Sequence, residues 1–219
     1  MVDCEQFFKK NHFGKDLYAK YNKYTMSRKR RYRQLVNIVE YISFGDIDGA
    51  IVECGVWKGG CLMGIMDMLN RLDDIREIWA YDTFKGLIGG NEFDVNRKGH
   101  KGSEMTGDYA VSIDEVQENL QLVGYSLGNI KMVKGDVRQS CKRHCPKEIA
   151  LLRVDVDFYE ATKVVLEVMY PKLSKGGVVI LDDYETWLGS RKAVDEFFGS
   201  QIDKLITRRD SSAAYWIKE

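Results

Sequence analysis

The sequence predicts an α/β fold, a seven-stranded and mostly parallel sheet with helices on both faces. Three observations carry this. Two apolar runs end abruptly at carboxylates 27 residues apart: Leu151-Leu152-Arg153-Val154 stops at Asp155-Val156-Asp157, and Gly177-Val178-Val179-Ile180-Leu181 stops at Asp182-Asp183. The helix-length segment between them, about Tyr159 to Leu173, makes a β-α-β unit whose parallel strands end at one sheet edge. Strand-length and helix-length patterns then alternate along most of the 219 residues, and a hairpin closes the chain.

An N-terminal helical region over 3–43 is read as two helices broken near Tyr24 to Ser27. Ala50–Cys54 is the first strand and Gly60–Leu72 the helix after it. Ile78–Tyr81 is the second strand, ending at Asp82. Ser112 opens a helix to about Val123, with Asp114 and Glu115 in the first turn as the helix dipole favours. Ile130–Val133 is the third strand, ending near Asp136. The strands ending at Asp155 and Asp182 are the fourth and fifth. A helix over Trp187–Phe198 precedes strands at Lys204–Arg208 and Ala213–Lys218, joined by the turn residues Asp210-Ser211-Ser212. Residues 83–111 break the alternation. Loops this long in a compact domain are usually lids or binding loops, and this one is read as part of a substrate wall, the alternative being a loose surface insertion. The whole, 1–219, is read as one domain, with 1–45 a helical lid region and 46–219 the core.

Composition narrows the class. With 33 basic and 33 acidic residues, no net field draws in nucleic acid or an anionic membrane. The basic run Arg28-Lys29-Arg30-Arg31 reads as the solvated face of a helix, because Tyr32, Leu35, Val36 and Val39 recur beside it at helical spacing. No apolar stretch approaches the ~18 residues of a membrane span, and the N-terminus lacks a signal-peptide pattern, so a cytoplasmic location is expected. Five scattered cysteines fit that expectation. Cys141, His144 and Cys145 form a poor zinc site, having no partner cluster elsewhere.

The chemistry concentrates at the strand ends. Glu53-Cys54-Gly55-Val56-Trp57-Lys58-Gly59-Gly60 follows the first strand and opens a helix. Gly55, Gly59 and Gly60 let the backbone turn sharply and approach a ligand. Asp82, 29 residues after Glu53, stands where a carboxylate accepts hydrogen bonds from a ribose diol. The pattern is not Gly-x-Gly-x-x-Gly, and Glu53 suits an ammonium group better than a pyrophosphate. That points to S-adenosylmethionine rather than NAD, with Asp136 near the adenine amino group. Asp155, Asp182 and Asp183 would repel each other at the sheet edge, and a hard cation such as Mg2+ would relieve this.

Several words in the chain resemble the macrocin O-methyltransferase family. They are Ile51-Val52-Glu53-Cys54-Gly55-Val56-Trp57-Lys58-Gly59-Gly60, Tyr81-Asp82-Thr83-Phe84-Lys85-Gly86-Leu87, Leu152-Arg153-Val154-Asp155-Val156-Asp157-Phe158-Tyr159-Glu160-Ala161-Thr162, Tyr170-Pro171-Lys172-Leu173 and Gly176-Gly177-Val178-Val179-Ile180-Leu181-Asp182-Asp183-Tyr184. The resemblance runs from about 20 to 218. It implies a class I methyltransferase fold, S-adenosylmethionine, magnesium and an O-methyl product, often on a sugar hydroxyl. Tyr24-Thr25-Met26-Ser27 resembles the family's segment that closes over the cofactor, which adds Thr25 and Met26 to the cofactor residues. No family words occur in 88–111 or around Val137 to Cys145, so the acceptor does not carry over.

Methyl transfer to a hydroxyl needs alignment, removal of a proton and stabilisation of the developing alkoxide. Asp155, Asp182 and Asp183 would hold the metal, and Asp155 would also take the proton. Asp157 either shares the strand face of Asp155 or caps the next helix; the cap is the favoured reading. A haloacid-dehalogenase-type phosphatase is disfavoured, since only one helix separates the two acidic words. A Rossmann oxidoreductase lacks its glycine pattern, and a non-catalytic binding module would not need all these carboxylates. A catechol-type enzyme acting on an aromatic diol would use the same metal logic. A small hydroxyl acceptor, a sugar or glycoside, is the expected partner; a homo-oligomer is left open.

Overall fold

In a computed structural model, residues 14–204, 206–207 and 213–219 are described. Helix α1 spans Gly14–Tyr21 and α2 Lys29–Phe44. Strand β1 covers Ala50–Cys54, α3 Gly60–Leu72 and β2 Ile78–Asp82. Helix α4 covers Ile113–Gln121, β3 Ile130–Lys134, α5 Val137–Arg143 and β4 Ile149–Val154. The chain continues through α6 Tyr159–Met169, β5 Leu173–Leu181, α7 Leu188–Phe198, β6 Ile206–Thr207 and β7 Ala214–Ile217. The sheet order is β3-β2-β1-β4-β5-β7-β6. Strands β1 to β5 are parallel, and β7 runs antiparallel to both β5 and β6.

The two sheet faces carry separate cores. Ile51, Leu151, Val178 and Tyr215 pack with α1 to α4, while Val52, Cys54, Leu152, Val179 and Trp216 pack with α5 to α7. Alternate strand residues thus feed opposite layers, as the period of two requires. The central strands are buried on both sides and apolar apart from Glu53 and Arg153, and burying one apolar side chain contributes roughly 1.5–3 kcal/mol.

The structure refines several boundaries. The N-terminal helices break over a short 3-10 turn, Asn22–Tyr24. Ser112 does cap α4, accepting from the Glu115 N–H at 3.1 Å. The helix expected over Tyr159–Leu173 stops at Met169, because Pro171 sits in a 3-10 turn over Tyr170–Lys172. Strand β5 therefore starts at Leu173, ahead of Gly176. Helix α5 was not expected: it fills the interval after Asp136, whose side chain caps it through the Arg138 N–H at 3.0 Å. Strand β7 is one residue shorter at each end than expected, Lys204 belongs to a 3-10 turn rather than to a strand, and Leu205, Arg208 and the turn at Asp210-Ser211-Ser212 lie outside the described residues. Among the described residues no helix is long and apolar enough to cross a membrane.

Candidate active site

A cavity of about 490 Å³ opens at the carboxyl ends of β1, β2, β4 and β5, the edge where open α/β sheets bind ligands. The strand register builds its floor. Glu53 on β1 lies opposite Arg153 on β4, and Arg153 lies opposite Ile180 on β5, two residues before Asp182. All are on the sheet face covered by α2 and α3. Arg153 is the hub. Its guanidinium pairs with Glu53, with Asp155 at 2.7 Å and with Asp182 at 2.9 Å, although its side chain is only 4% exposed. The second oxygen of Asp182 pairs with Arg31 of α2.

Asp155, Asp182 and Asp183 offer oxygens within 4.8 Å of one another. Among the described residues they form the one group of His, Cys, Asp or Glu that could hold a metal; Cys141 is buried in the opposite core. Burial pushes the carboxyl pKa of Asp183 up, and Asp157, Asp155 and Asp182 push it further. Burial also raises Asp155, more than Arg153 lowers it. Asp182 is held below the usual carboxylate range, because Arg153 and Arg31 outweigh the effect of burial. Five carboxylates (Glu53, Asp155, Asp157, Asp182 and Asp183) thus gather near two guanidiniums, which pair with only Glu53, Asp155 and Asp182, an arrangement short of positive charge.

Asp157 does not cap α6. Strand β4 ends at Val154, and Asp157 adopts φ 60, which turns the chain. The N-cap residue of α6 is Phe158, without a side-chain bond. Asp157 instead accepts the Trp187 indole N–H at 2.8 Å and donates its backbone N–H to Asp183 at 3.1 Å. The N–H of Tyr159 at the start of α6 is bound by Asp94 at 2.7 Å. Asp94 lies in the 83–111 loop and is buried; burial raises its carboxyl pKa despite the N–H donors of Tyr159 and Asn91. With the Leu188 N–H donating to Val95 O at 3.0 Å and a bridge between Asn96 and Trp187, the loop is anchored as a wall of the cavity.

The expected cofactor residues separate into three roles. Thr25, Met26, Glu53, Gly55, Asp82 and Asp136 line the cavity. Glu53 is fully buried, and among the described residues its Oε2 has no hydrogen-bond partner. Gly55 has φ 90, and a Cβ there would lie 1.7 Å from the Asp155 carbonyl oxygen, so β1 and β4 approach closely only with glycine. Gly59 and Gly60 are not among the lining residues. Gly59 takes the left-handed turn into α3, and a Cβ on Gly60 would lie 2.5 Å from the Tyr24 carbonyl carbon. Their need for glycine thus comes from the turn and from packing of the 24–27 segment. Asp82 binds the loop itself, accepting the Val56, Trp57 and Phe84 N–H groups at 2.7, 3.2 and 2.8 Å. Asp136 is held by Arg138 at 2.6 Å; burial would raise its carboxyl pKa, and Arg138 brings it below the usual range.

Sequence reasoning missed Arg153, Arg31, Asp94 and Trp187. Only Arg153 left a signal, a lone charge inside an apolar strand. Arg28, Lys29 and Arg30 are exposed as expected, but Arg31 turns inward.

The chain matches the family described as Macrocin-O-methyltransferase (TylF) over residues 5–218 and belongs to that family. It is an S-adenosylmethionine-dependent O-methyltransferase. It is 31% identical over 205 residues to demethyldecarbamoylnovobiocin O-methyltransferase of Streptomyces niveus, covering 89% of this chain and 76% of that protein. It is 30% identical to 8-demethyl-8-(2,3-dimethoxy-alpha-L-rhamnosyl)-tetracenomycin-C 4'-O-methyltransferase of Streptomyces olivaceus, covering 88% of this chain and 75% of that one. The solved O-methyltransferase NovP superposes with a TM-score of 0.77 at 30% identity, over 89% of this chain and 82% of its own. The calicheamicin methyltransferase CalS11 shares the fold, with a TM-score of 0.71 at 22% identity over 97% of this chain and 89% of its own.

Proposed function

We propose that the enzyme methylates a hydroxyl of a sugar or glycoside in the cytoplasm, with a divalent cation, Mg2+, at Asp155, Asp182 and Asp183 and with Asp155 as the base. The observation that carries this reading is the approach of three carboxylates within 4.8 Å beside the cavity. The donor set fits the cation: all ligands are hard oxygens, and the surrounding charge is too negative. A cation supplies charge stabilisation to an oxygen losing its proton and lowers that hydroxyl's pKa.

The cavity residues also fit the cofactor. The unpartnered Glu53 oxygen suits an ammonium donor, since leaving it bare in the core is costly. Glu53 would hold the ammonium of S-adenosylmethionine, which when bound would supply an electrophilic methyl on a sulfonium whose thioether is the leaving group. Asp82 shapes the loop facing the cofactor by accepting two of its N–H groups, those of Val56 and Trp57, and Asp136 with Arg138 lines another part of the cavity. Within the helical lid region read at 1–45, ahead of the core region at 46–219, α1 and α2 are themselves packed into the hydrophobic core, so the covering part is the 24–27 segment, whose Thr25 and Met26 line the cavity and cover the cofactor. Asp155 removes the acceptor proton and Asp157 keeps Trp187 in the wall. The relative named for 4'-O-methylation of a rhamnosyl-bearing compound favours a sugar over an aromatic diol.

The test is a mass-spectrometric screen of glycosides and catechols with S-adenosylmethionine, with and without EDTA. Glycoside methylation that EDTA abolishes and Mg2+ restores is the expected result. Full turnover in excess EDTA at a metal-free site would contradict the cation assignment, and methylation of catechols alone would contradict the acceptor.

A further inference from the structure

We propose that Arg31 stands in for a divalent cation on Asp182 and gives up that place when the cation binds. This rests on the metal assignment above and concerns how the same site is regulated.

The start of α2 is unusual. No acidic residue stands in its first turn, and Arg28 caps it without a side-chain bond. Positive charge there opposes the helix dipole. Water weakens that cost for the exposed Arg28, Lys29 and Arg30. Arg31 has no such relief: its side chain is 18% exposed and turned onto Asp182. The helix holds it there, because Tyr32, Leu35, Val36 and Val39 are buried and fix the roll of α2. A cation in an unfavourable, half-buried place implies a specific anionic partner, and Asp182 is that partner.

The two guanidiniums on Asp182 differ in how easily they leave. Arg153 is 4% exposed and bound to three carboxylates, on β1 and at the ends of β4 and β5. Among the described residues, every hydrogen bond of Arg31 ends on Asp182, at its carboxylate and at its main-chain oxygen 3.5 Å away. Arg31 is therefore the exchangeable one. It also satisfies the node poorly. Among the described residues no arginine or lysine pairs with Asp183, whereas a divalent cation would serve Asp155, Asp182 and Asp183 together and bring one more positive charge. Arg31 lines the cavity, so its side chain has open space to move into when the cation takes its place.

The experiment titrates the EDTA-stripped full-length chain with Mn2+, reading free Mn2+ by electron paramagnetic resonance. Wild type, Arg31→Met and Arg31→Gln are compared, with S-adenosylhomocysteine affinity in the absence of metal as the folding control. Both variants are expected to bind Mn2+ about tenfold more tightly, the scale of one charge-assisted ion pair that no longer has to be broken. S-adenosylhomocysteine affinity should be unchanged. Equal or weaker Mn2+ binding by a variant that still binds S-adenosylhomocysteine overturns the proposal, since Arg31 would then only orient Asp182. Absence of Mn2+ binding in wild type as well overturns the metal assignment and this proposal with it.

Discussion

Replacing Arg153 with methionine removes the cation at the centre of the site. The perturbation is large because of where Arg153 sits. Its guanidinium joins Glu53, Asp155 and Asp182, and the side chains of Arg153, Glu53 and Asp182 are 4%, 1% and 6% exposed. The pairs themselves add little net stability, since desolvating each ion offsets much of the attraction. Removing one partner is different, because the remaining carboxylates stay buried without compensation. That loss is about 3–5 kcal/mol, or roughly 6–20 °C in Tm for a chain of this size. Thermal and urea unfolding can be followed by the fluorescence of the four tryptophans. A double-mutant cycle with Glu53→Gln separates the pair from the whole. The double variant is expected to recover part of the loss, because its buried amide carries no charge. Unfolding of Arg153→Met within about 1 kcal/mol of wild type, the ordinary range of a surface change, would refute the hub.

Other perturbations follow from the same geometry. Burial raises the Glu53 carboxyl from its ordinary 4.5 to about 7. Its contribution to folding is therefore full below pH 4.5 and is lost as pH rises through about 7. Binding of an ammonium group favours the ionised form, so calorimetry from pH 6 to 8 should show S-adenosylhomocysteine affinity rising up to about tenfold, the scale of one unit of ionisation. Glu53→Gln should flatten that slope, and an unaltered slope in the variant would assign it to another group. Gly60→Ala should push Tyr24 and the 24–27 segment outward, lowering cofactor affinity with Tm falling by less than in Arg153→Met; wild-type affinity would contradict this. Asp157→Asn keeps an oxygen for the Trp187 N–H and tolerates the left-handed backbone, so it should cost about 1 kcal/mol or less of stability. Asp157→Ala should cost roughly 1–3 kcal/mol, the range for an orphaned buried donor. Equal urea midpoints for the two variants would show that the indole bond carries no weight.

The sequence read well wherever a local signal was repeated. Ala50–Cys54 and Gly60–Leu72 were legible because a short, mainly apolar run meets a glycine turn and then helical spacing. The clustering of Asp155, Asp182 and Asp183 was legible because β4 and β5 each end at acid. Helix α5 was not, since seven residues give no clear period and Asp136 looked like a strand end rather than a cap. Arg31 was assigned to solvent with its basic neighbours; helical spacing marks the buried face but not which flanking charge turns inward. Asp94 was invisible because its partner, the Tyr159 N–H, lies 65 residues away. Gly59 and Gly60 were read as ligand contacts, while their requirement comes from a turn and from Tyr24. Asp157 was read as a cap, and only the fold reveals Trp187 beside it.

The central claim is that a carboxylate cluster at the ends of β4 and β5 activates an acceptor hydroxyl for methylation. Asp155→Asn tests it most directly, because asparagine keeps the size and one oxygen but cannot accept a proton near neutral pH. The measurement is S-adenosylhomocysteine formation with a glycoside found in the screen, in saturating Mg2+, alongside calorimetric S-adenosylhomocysteine affinity. Turnover is expected to fall about 100- to 10,000-fold, or roughly 3–5 kcal/mol of barrier, with cofactor affinity nearly unchanged. Near-normal turnover by Asp155→Asn would contradict the mechanism.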